Sequence, residues 1–317
     1  MEQIAIKGWR KGEEITLHAS KLFLGSADFL RPDNMDAVAE MFETYIAHGG
    51  NIIDTAEHYR HAELAIGEWF KVSGNRKRLQ VLTKGCHPKR EARDVKRVNA
   101  ECIREDVLQS LEKLNTDYVE LYALHRDDPT VPVGEILEAL AEQIEKGYIQ
   151  AIGVSNWELP RIIEAQEYAQ KHGLYPLSFT SPNLSLAVPM IPRWPGCVSA
   201  DKDMVDWHLQ HDLALVSWSS QAGGFFSGRF TPEHCPDPEI KACFYNEDNW
   251  LRYERAKDLA VKKGCSPIQI ALAWVLHKGD NIAAIIGPEK VSELESSLEA
   301  ANIQLSSAEV KFLALEE

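Results

Sequence analysis

The sequence predicts an α/β protein: a (β/α)8 TIM barrel with an N-terminal β-hairpin and a short C-terminal helix. Three observations carry this. Eight short apolar runs recur along the chain, mostly 25 to 40 residues apart. They are apolar on both faces, as strands of a buried parallel sheet are. Segments with apolar residues at helical spacing separate them. A doubly wound sheet is the alternative, but the chain lacks the glycine-rich phosphate turn of that fold.

The first 20 residues stand outside the repeat: Gln3–Lys7 and Glu14–His18, joined through Gly8 and Gly12, read as a hairpin. Leu22–Gly25 is the first barrel run, and Met35, Val38, Phe42, Tyr45 and Ile46 form the apolar face of its helix, closed by Gly49 and Gly50. Asn51–Asp54 follows, with Leu64, Ile66, Trp69 and Phe70 on its helix. Leu79–Thr83 is third, with Ile103, Val107, Leu108, Leu111 and Leu114. Tyr118–Leu124 is fourth, with Ile136, Leu137, Leu140 and Ile144. Ile149–Val154 is fifth, and its helix runs from about Leu159 to His172. Leu177–Thr180, Leu213–Trp218 and Ile282–Ile286 complete the eight. Ser306 and Glu309 form a capping box that starts a tail helix. No linker or low-complexity stretch divides the chain, so residues 1–317 read as one domain. The connections 181–203 and 219–248 are long and rich in Pro, Gly and aromatics, as binding loops are.

Composition narrows the partners. Of 317 residues, 44% are hydrophobic and 26% charged, which excludes a mostly disordered chain. The net charge of -14, from 34 Lys+Arg against 48 Asp+Glu, disfavours nucleic acid. No apolar run is long enough to span a bilayer, and the N-terminal residues have no signal-peptide core. The six cysteines contain no C-x-x-C pair and read as reduced thiols of a cytoplasmic protein. His58/His61 and His208/His211 form H-x-x-H pairs without metal-site context, so no metal is expected.

Chemistry gathers at the C-terminal ends of the strands, the catalytic face of a barrel. The second run ends at Asp54, with Tyr59 just beyond; the third ends in Thr83-Lys84, the fourth in Leu124-His125 and the fifth in Ser155-Asn156. A tyrosine, with a pKa of about 10, is a poor acid at neutral pH. A cation beside it stabilises the phenolate. Lys84 supplies the cation, and Asp54 holds that charge in a buried place. His125 can orient a carbonyl oxygen towards Tyr59. The set is a proton donor for a carbonyl that receives electrons. It contains no nucleophile and no metal cage, so a cofactor must supply the electrons.

With those residues in view, Asn51–Tyr59 (NIIDTAEHY), Val81–Lys84 (VLTK), Ser110–His125 (SLEKLNTDYVELYALH) and Ile152–Asn156 (IGVSN) resemble the aldo-keto reductase family, from Leu22 to about Ala300. The resemblance implies a barrel that binds NADPH, or NADH, and reversibly reduces aldehydes or ketones to alcohols by hydride transfer. It implies Asp54, Tyr59, Lys84 and His125 as the catalytic set. It also implies cofactor contacts at Ser26, Asp54, Ser155, Asn156, Ser181, Trp218, Ser219, Gly223, Gly287, Lys290, Glu293 and Ser297. Trp218 stands where the family has a tyrosine stacked on the nicotinamide, and Ser181 where it has a glutamine. Leu294 replaces an arginine of the adenosine segment, which leaves Lys290, beside Glu289, to meet a 2′-phosphate.

Phe29, His58, Trp157, Trp194, Phe225 and Phe226 are candidate pocket walls. The short tail leaves the pocket open or closed by residues 187–200, which suits a bulky or sugar-like small-molecule carbonyl. The expected assembly is a monomer or a small homo-oligomer. Two other readings remain open: a cofactor-binding regulatory barrel with little turnover, and a metal-dependent barrel hydrolase.

Overall fold

The computed structural model describes residues 1–27, 30–59 and 61–316. Phe29 lies outside the described residues. Strands β1 (Gln3–Arg10) and β2 (Glu13–Ser20) pair antiparallel. The two residues between them, Lys11 and Gly12, both have positive φ (54° and 80°), the geometry of a tight hairpin turn. In β1, buried and exposed residues alternate through Ile6, so one face of the ribbon is apolar.

Eight parallel strands then close a barrel: β3 (Leu22–Gly25), β4 (Ile52–Asp54), β5 (Gln80–Gly85), β6 (Val119–Leu124), β7 (Ile149–Ser155), β8 (Phe179–Ser181), β9 (Ala214–Ser217) and β10 (Ile282–Ile286). Strand β10 pairs with both β9 and β3, which completes the circle. The eight runs read from sequence match these strands to within about two residues at either end, the usual slack at strand ends.

Helices α1 (Met35–Ala47), α2 (Ala62–Ser73), α3 (Ala100–Lys113), α4 (Val133–Glu145), α5 (Leu159–His172) and α6 (Lys202–His211) each fill one crossover. Between β9 and β10 there are three helices: α7 (Pro238–Phe244), α8 (Glu247–Lys263) and α9 (Pro267–Leu276). The first of these lies inside the segment 219–248 read from sequence as a loop. Asp237 caps it through the backbone N–H groups of Glu239 and Ile240, and Pro238 opens it. Helices α10 (Val291–Ala300) and α11 (Ser307–Ala314) end the chain. The capping box of α11 forms as expected, with Ser306 Oγ accepting from Glu309 N and Glu309 Oε2 accepting from Ser306 N.

Two apolar assignments differ from the sequence reading. Leu64 and Leu108 are 43% and 50% exposed. On α2 the buried stripe is Ala62, Ala65, Ile66, Trp69 and Phe70, and Leu64 falls beside it. On α3 the polar Asp106 takes a stripe position instead of Leu108, because Arg97 and Cys86 N hold its carboxylate.

The barrel interior and the hairpin form one apolar cluster. Phe23, Ile52, Leu82, Leu121, Ala123, Ala151, Phe179, Ala214, Val216, Ala283 and Ile285 meet Ile4, Ile6, Leu17 and Ala19 there. The hairpin crosses the N-terminal ends of the strands: His18 O accepts from Asn51 Nδ2 (2.8 Å) and Gln80 Nε2 (2.7 Å). Side chains alternate along a strand, so inward-facing rows can be followed upward. Ile52 leads to Asp54, Leu82 to Lys84, Ala123 to His125, Ala151 to Ser155, Phe179 to Ser181 and Val216 to Trp218. The same rows that fill the barrel therefore finish on polar residues at its C-terminal rim.

Candidate active site

The rim is built on backbone hydrogen bonds. Thr55 N donates to Leu82 O and Glu57 N to Lys84 O, both at 2.8 Å, so the chain continues along β5 after β4 has ended. Tyr59 N then donates to Ala56 O, turning the segment back. This brings Tyr59 beside Lys84, whose Nζ lies 5.6 Å from the centre of the tyrosine ring. Lys84 Nζ donates to Asp54 Oδ1 and, at 3.0 Å, to Thr55 O. Both partners of this ion pair are buried. Burial pushes the Asp54 carboxyl up from its usual range, and the Lys84 charge and hydrogen bond pull it back. Each charge thus compensates the other where neither has water.

On the next strand, His125 N donates to Gly85 O (2.9 Å), which fixes the histidine beside the end of β5. Its ring lies 5.8 Å from that of Tyr59. The structure adds a feature not drawn from the sequence. His58 stacks flat on His87 at 3.9 Å, and both rings meet His125 edge-on at 4.6 and 5.1 Å. Burial, the His87 imidazole, Arg126 and Lys84 hold His58 down at about 2. Burial likewise lowers His125 well below its ordinary value, and lowers His87. The cluster is therefore a wall of neutral imidazoles, and the buried Nδ1 atoms of His58 and His125 have no hydrogen-bond partner among the described residues. Among the described residues, no group of three His, Cys, Asp or Glu is arranged to hold a metal ion.

The remaining candidate residues lie along the same rim. Ser155 Oγ donates to Ser181 O at 2.7 Å. Asn156, at φ 63°, gives its amide N–H groups to His125 O and Ser155 Oγ. Its Oδ1 accepts from Val198 N and Trp218 Nε1, both at 3.1 Å. Among the described residues, the buried hydroxyls of Ser26, Ser181 and Ser217 have no hydrogen-bond partner. Ser219 follows Trp218 at φ 51°, and Gly223 and Gly224 turn the next loop at φ 60° and 81°. At the end of the neighbouring strand β10, a Cβ at Gly287 would meet nothing within 4 Å. Lys290 is exposed and lies 3.6 Å from Glu293, whose other oxygen accepts from Glu289 N. Ser297 is buried on α10.

The pocket aromatics separate into two groups. His58 belongs to the imidazole cluster, and Trp194 is 40% exposed beside Trp218, their rings 5.7 Å apart. Phe225, Phe226 and Trp157 are fully or almost fully buried. Phe225 and Phe226 pack with Tyr253, and Phe225 also with Phe244, Tyr245 and Trp250, inside the loop that follows β9. Trp157 lies under the Arg161 guanidinium and donates to Arg126 O. These three rings build the loops and do not face open space. Sequence reasoning passed over His87, three residues beyond Lys84, and Arg193, the cation within residues 187–200. Position after a strand end was the available signal for both.

Fold and rim together define a barrel with a tyrosine, a lysine–aspartate pair and histidines at its catalytic face. The model of the Aldo/keto reductase family matches residues 21–314. The chain belongs to the aldo/keto reductase family, oxidoreductases that act on carbonyl groups. It is 28% identical over 308 residues to the uncharacterized oxidoreductase YrpG of Bacillus subtilis, covering 94% of this chain and 92% of that protein. It is 26% identical over 279 residues to norsolorinic acid reductase A of Aspergillus parasiticus, covering 86% of this chain and 69% of that one. A crystal structure of the thermostable aldo-keto reductase Tm1743, in complex with the inhibitor epalrestat, superposes with a TM-score of 0.71 at 26% identity, covering 98% and 99% of the two chains.

Proposed function

We propose that this chain is an NADPH-dependent reductase that interconverts aldehydes or ketones and alcohols, with Tyr59 as the proton donor. The observation that carries this reading is the contact of Lys84 with Asp54 directly beside the Tyr59 ring. The rim suits a nicotinamide dinucleotide. Buried hydroxyls of Ser26 and Ser181 are open to hydrogen-bond a carboxamide, and Asn156, whose amide is engaged by protein groups, holds Ser155 and Trp218 in place. Gly287 leaves room for the ribose side, and Lys290 is the cation available to a 2′-phosphate.

When bound, the nicotinamide supplies the hydride. The chain's own residues do the rest. His125 hydrogen-bonds the substrate oxygen and aligns it with Tyr59. Tyr59 gives that oxygen its proton as negative charge develops, and the Lys84 ammonium stabilises the phenolate left behind. Asp54 holds the Lys84 side chain in place through their ion pair. Neutral imidazoles at His58 and His87 line the approach, with hydrogen-bonding atoms suited to a hydroxyl-bearing, sugar-like carbonyl. Thiols at all six cysteines suit a reducing compartment, and we read the chain as cytoplasmic.

The test follows NADPH and NADH oxidation optically over a panel of aldehydes, ketones and keto-sugars. Turnover with NADPH, highest on hydroxylated carbonyls, is the expected result. Tight NADPH binding with negligible turnover on every carbonyl would leave the regulatory-barrel reading instead.

A further inference from the structure

The loop between β8 and α6 brings Arg193 to Ser219, just beyond the end of the neighbouring strand β9. Its Nη1 donates to Ser219 Oγ at 2.7 Å, and its guanidinium lies 4.6 Å from the centre of the Trp194 ring. Its Nε is buried and has no hydrogen-bond partner among the described residues. A Cβ on Gly223 would stand 3.1 and 3.2 Å from Nη1 and Nη2, so the arginine rests against a glycine turn. From the other side Arg229 Nη2 donates to Gly223 O at 2.5 Å. Two guanidinium groups from separate loops thus converge on Gly223–Gly224. Among the described residues neither is ion-paired with a carboxylate, in a chain of net charge -14. Two cations gathered without a carboxylate repel each other, and a multiply charged anion between them removes that repulsion. A guanidinium fork also matches phosphate oxygens in shape.

We propose that Arg193 is a cofactor-binding residue, and that its loop is a strap clamping the dinucleotide pyrophosphate against the Gly223–Gly224 turn. This rests on the reading of the chain as a nicotinamide-dependent reductase. Ser219 adjoins Trp218 at the rim, so a phosphate held beside it lies next to the nicotinamide end of the cofactor. The pyrophosphate is common to NADPH and NADH, whereas Lys290 meets only the 2′-phosphate. Arg193 therefore sets overall affinity and not the choice between the two.

The test measures dissociation constants of NADPH and NADH by quenching of tryptophan fluorescence, since Trp194 and Trp218 flank the strap. In Arg193→Gln both constants are expected to rise by roughly tenfold or more, as loss of a charged hydrogen bond does, with their ratio unchanged. Arg193→Lys is expected to fall between, because it keeps the charge and loses the fork. An unchanged thermal midpoint shows that both variants are folded. Constants within twofold of wild type, or a loss confined to NADPH, would overturn the assignment of Arg193 alone. Failure of the wild-type chain to bind either cofactor would overturn the cofactor reading beneath it.

Discussion

At the N-terminal end of the strands, the barrel is closed by Ile4, Ile6, Leu17 and Ala19, packed on Phe23, Ile52 and Leu121. At the C-terminal end the same inward rows finish on Asp54, Lys84, His125, Ser155 and Ser181. One end spends its side chains on excluding water. The other buries ions, imidazoles and hydroxyls, several of them without a partner among the described residues. The contrast teaches that stability and chemistry are separated along one axis of the barrel, as its architecture permits. Substitutions should therefore sort by height: activity lost at constant stability above, stability lost at constant activity below.

The largest effect is expected at the top. Tyr59→Phe keeps the ring and removes the proposed proton donor. Turnover should fall by at least about 10²–10⁴-fold, the usual contribution of a positioned acid. The dissociation constant for NADPH and the thermal midpoint should stay near wild type. Turnover close to wild type would break the assignment of Tyr59.

Ile6 tests the other end. It is 1% exposed and lies in the hairpin face that floors the barrel. Ile6→Ala should lose about 2–5 kcal/mol of unfolding free energy, through lost transfer and a residual cavity. At a temperature where the variant is still folded, kcat should be unchanged. A fall in kcat with little change in urea midpoint would mean that the two ends are coupled and the separation by height is false.

The parts legible in the sequence were those with local signals. Strand β3 and strand β10 were placed at their true bounds, because Gly25 and Gly287 punctuate two compact apolar runs. Lys84 and His125 were readable because each follows its strand's apolar row at the end that becomes the catalytic face. Leu64 and Leu108 were misplaced because apolar character alone does not tell the centre of a helical stripe from its flank. Phe225 and Phe226 read as pocket walls because a loop aromatic gives no sign of which way it turns. Only the packing of Tyr245, Trp250 and Tyr253, some 20 to 30 residues further on, turns them inward. The stacked imidazoles of His58 and His87 join two separate loops, so no spacing along the chain announces them.

That cluster gives the next test, through pH. An ordinary histidine takes a proton near 6.5, whereas folded His58 takes one only at about 2. Between those values the unfolded chain binds a proton that the folded chain refuses. The stabilising contribution is therefore full above pH 6.5 and is lost as pH falls, by about 1.4 kcal/mol per pH unit for each such histidine. Glu63, raised to about 6 by burial, acts in the opposite sense: its contribution is present below its unfolded value of 4.5 and lost as pH rises through 6. That group is common to wild type and variant, so it cancels in a comparison. His58→Asn should lose less stability than wild type between pH 7 and pH 5, measured by urea unfolding. Equal losses would mean that His58 is charged in the folded protein, and the wall of neutral imidazoles would have to be abandoned.

The smallest effect belongs to Lys290, at the solvent edge of the top end. Its side chain is 68% exposed and already lies 3.6 Å from Glu293. An exposed pair of this kind contributes about 0.2–1 kcal/mol, and Glu293 competes with a phosphate for the same cation. Lys290→Met should therefore weaken NADPH binding by only about two- to fivefold, and leave NADH binding unchanged. Glu293→Gln should do the reverse, strengthening NADPH by a similar factor as Lys290 is released. A loss of NADPH affinity far beyond fivefold in Lys290→Met would show that the side chain leaves Glu293 and is drawn under a closed loop. The edge of the rim would then be as desolvated as Lys84, and the contrast drawn between the two ends would extend outward to the adenosine side of the site.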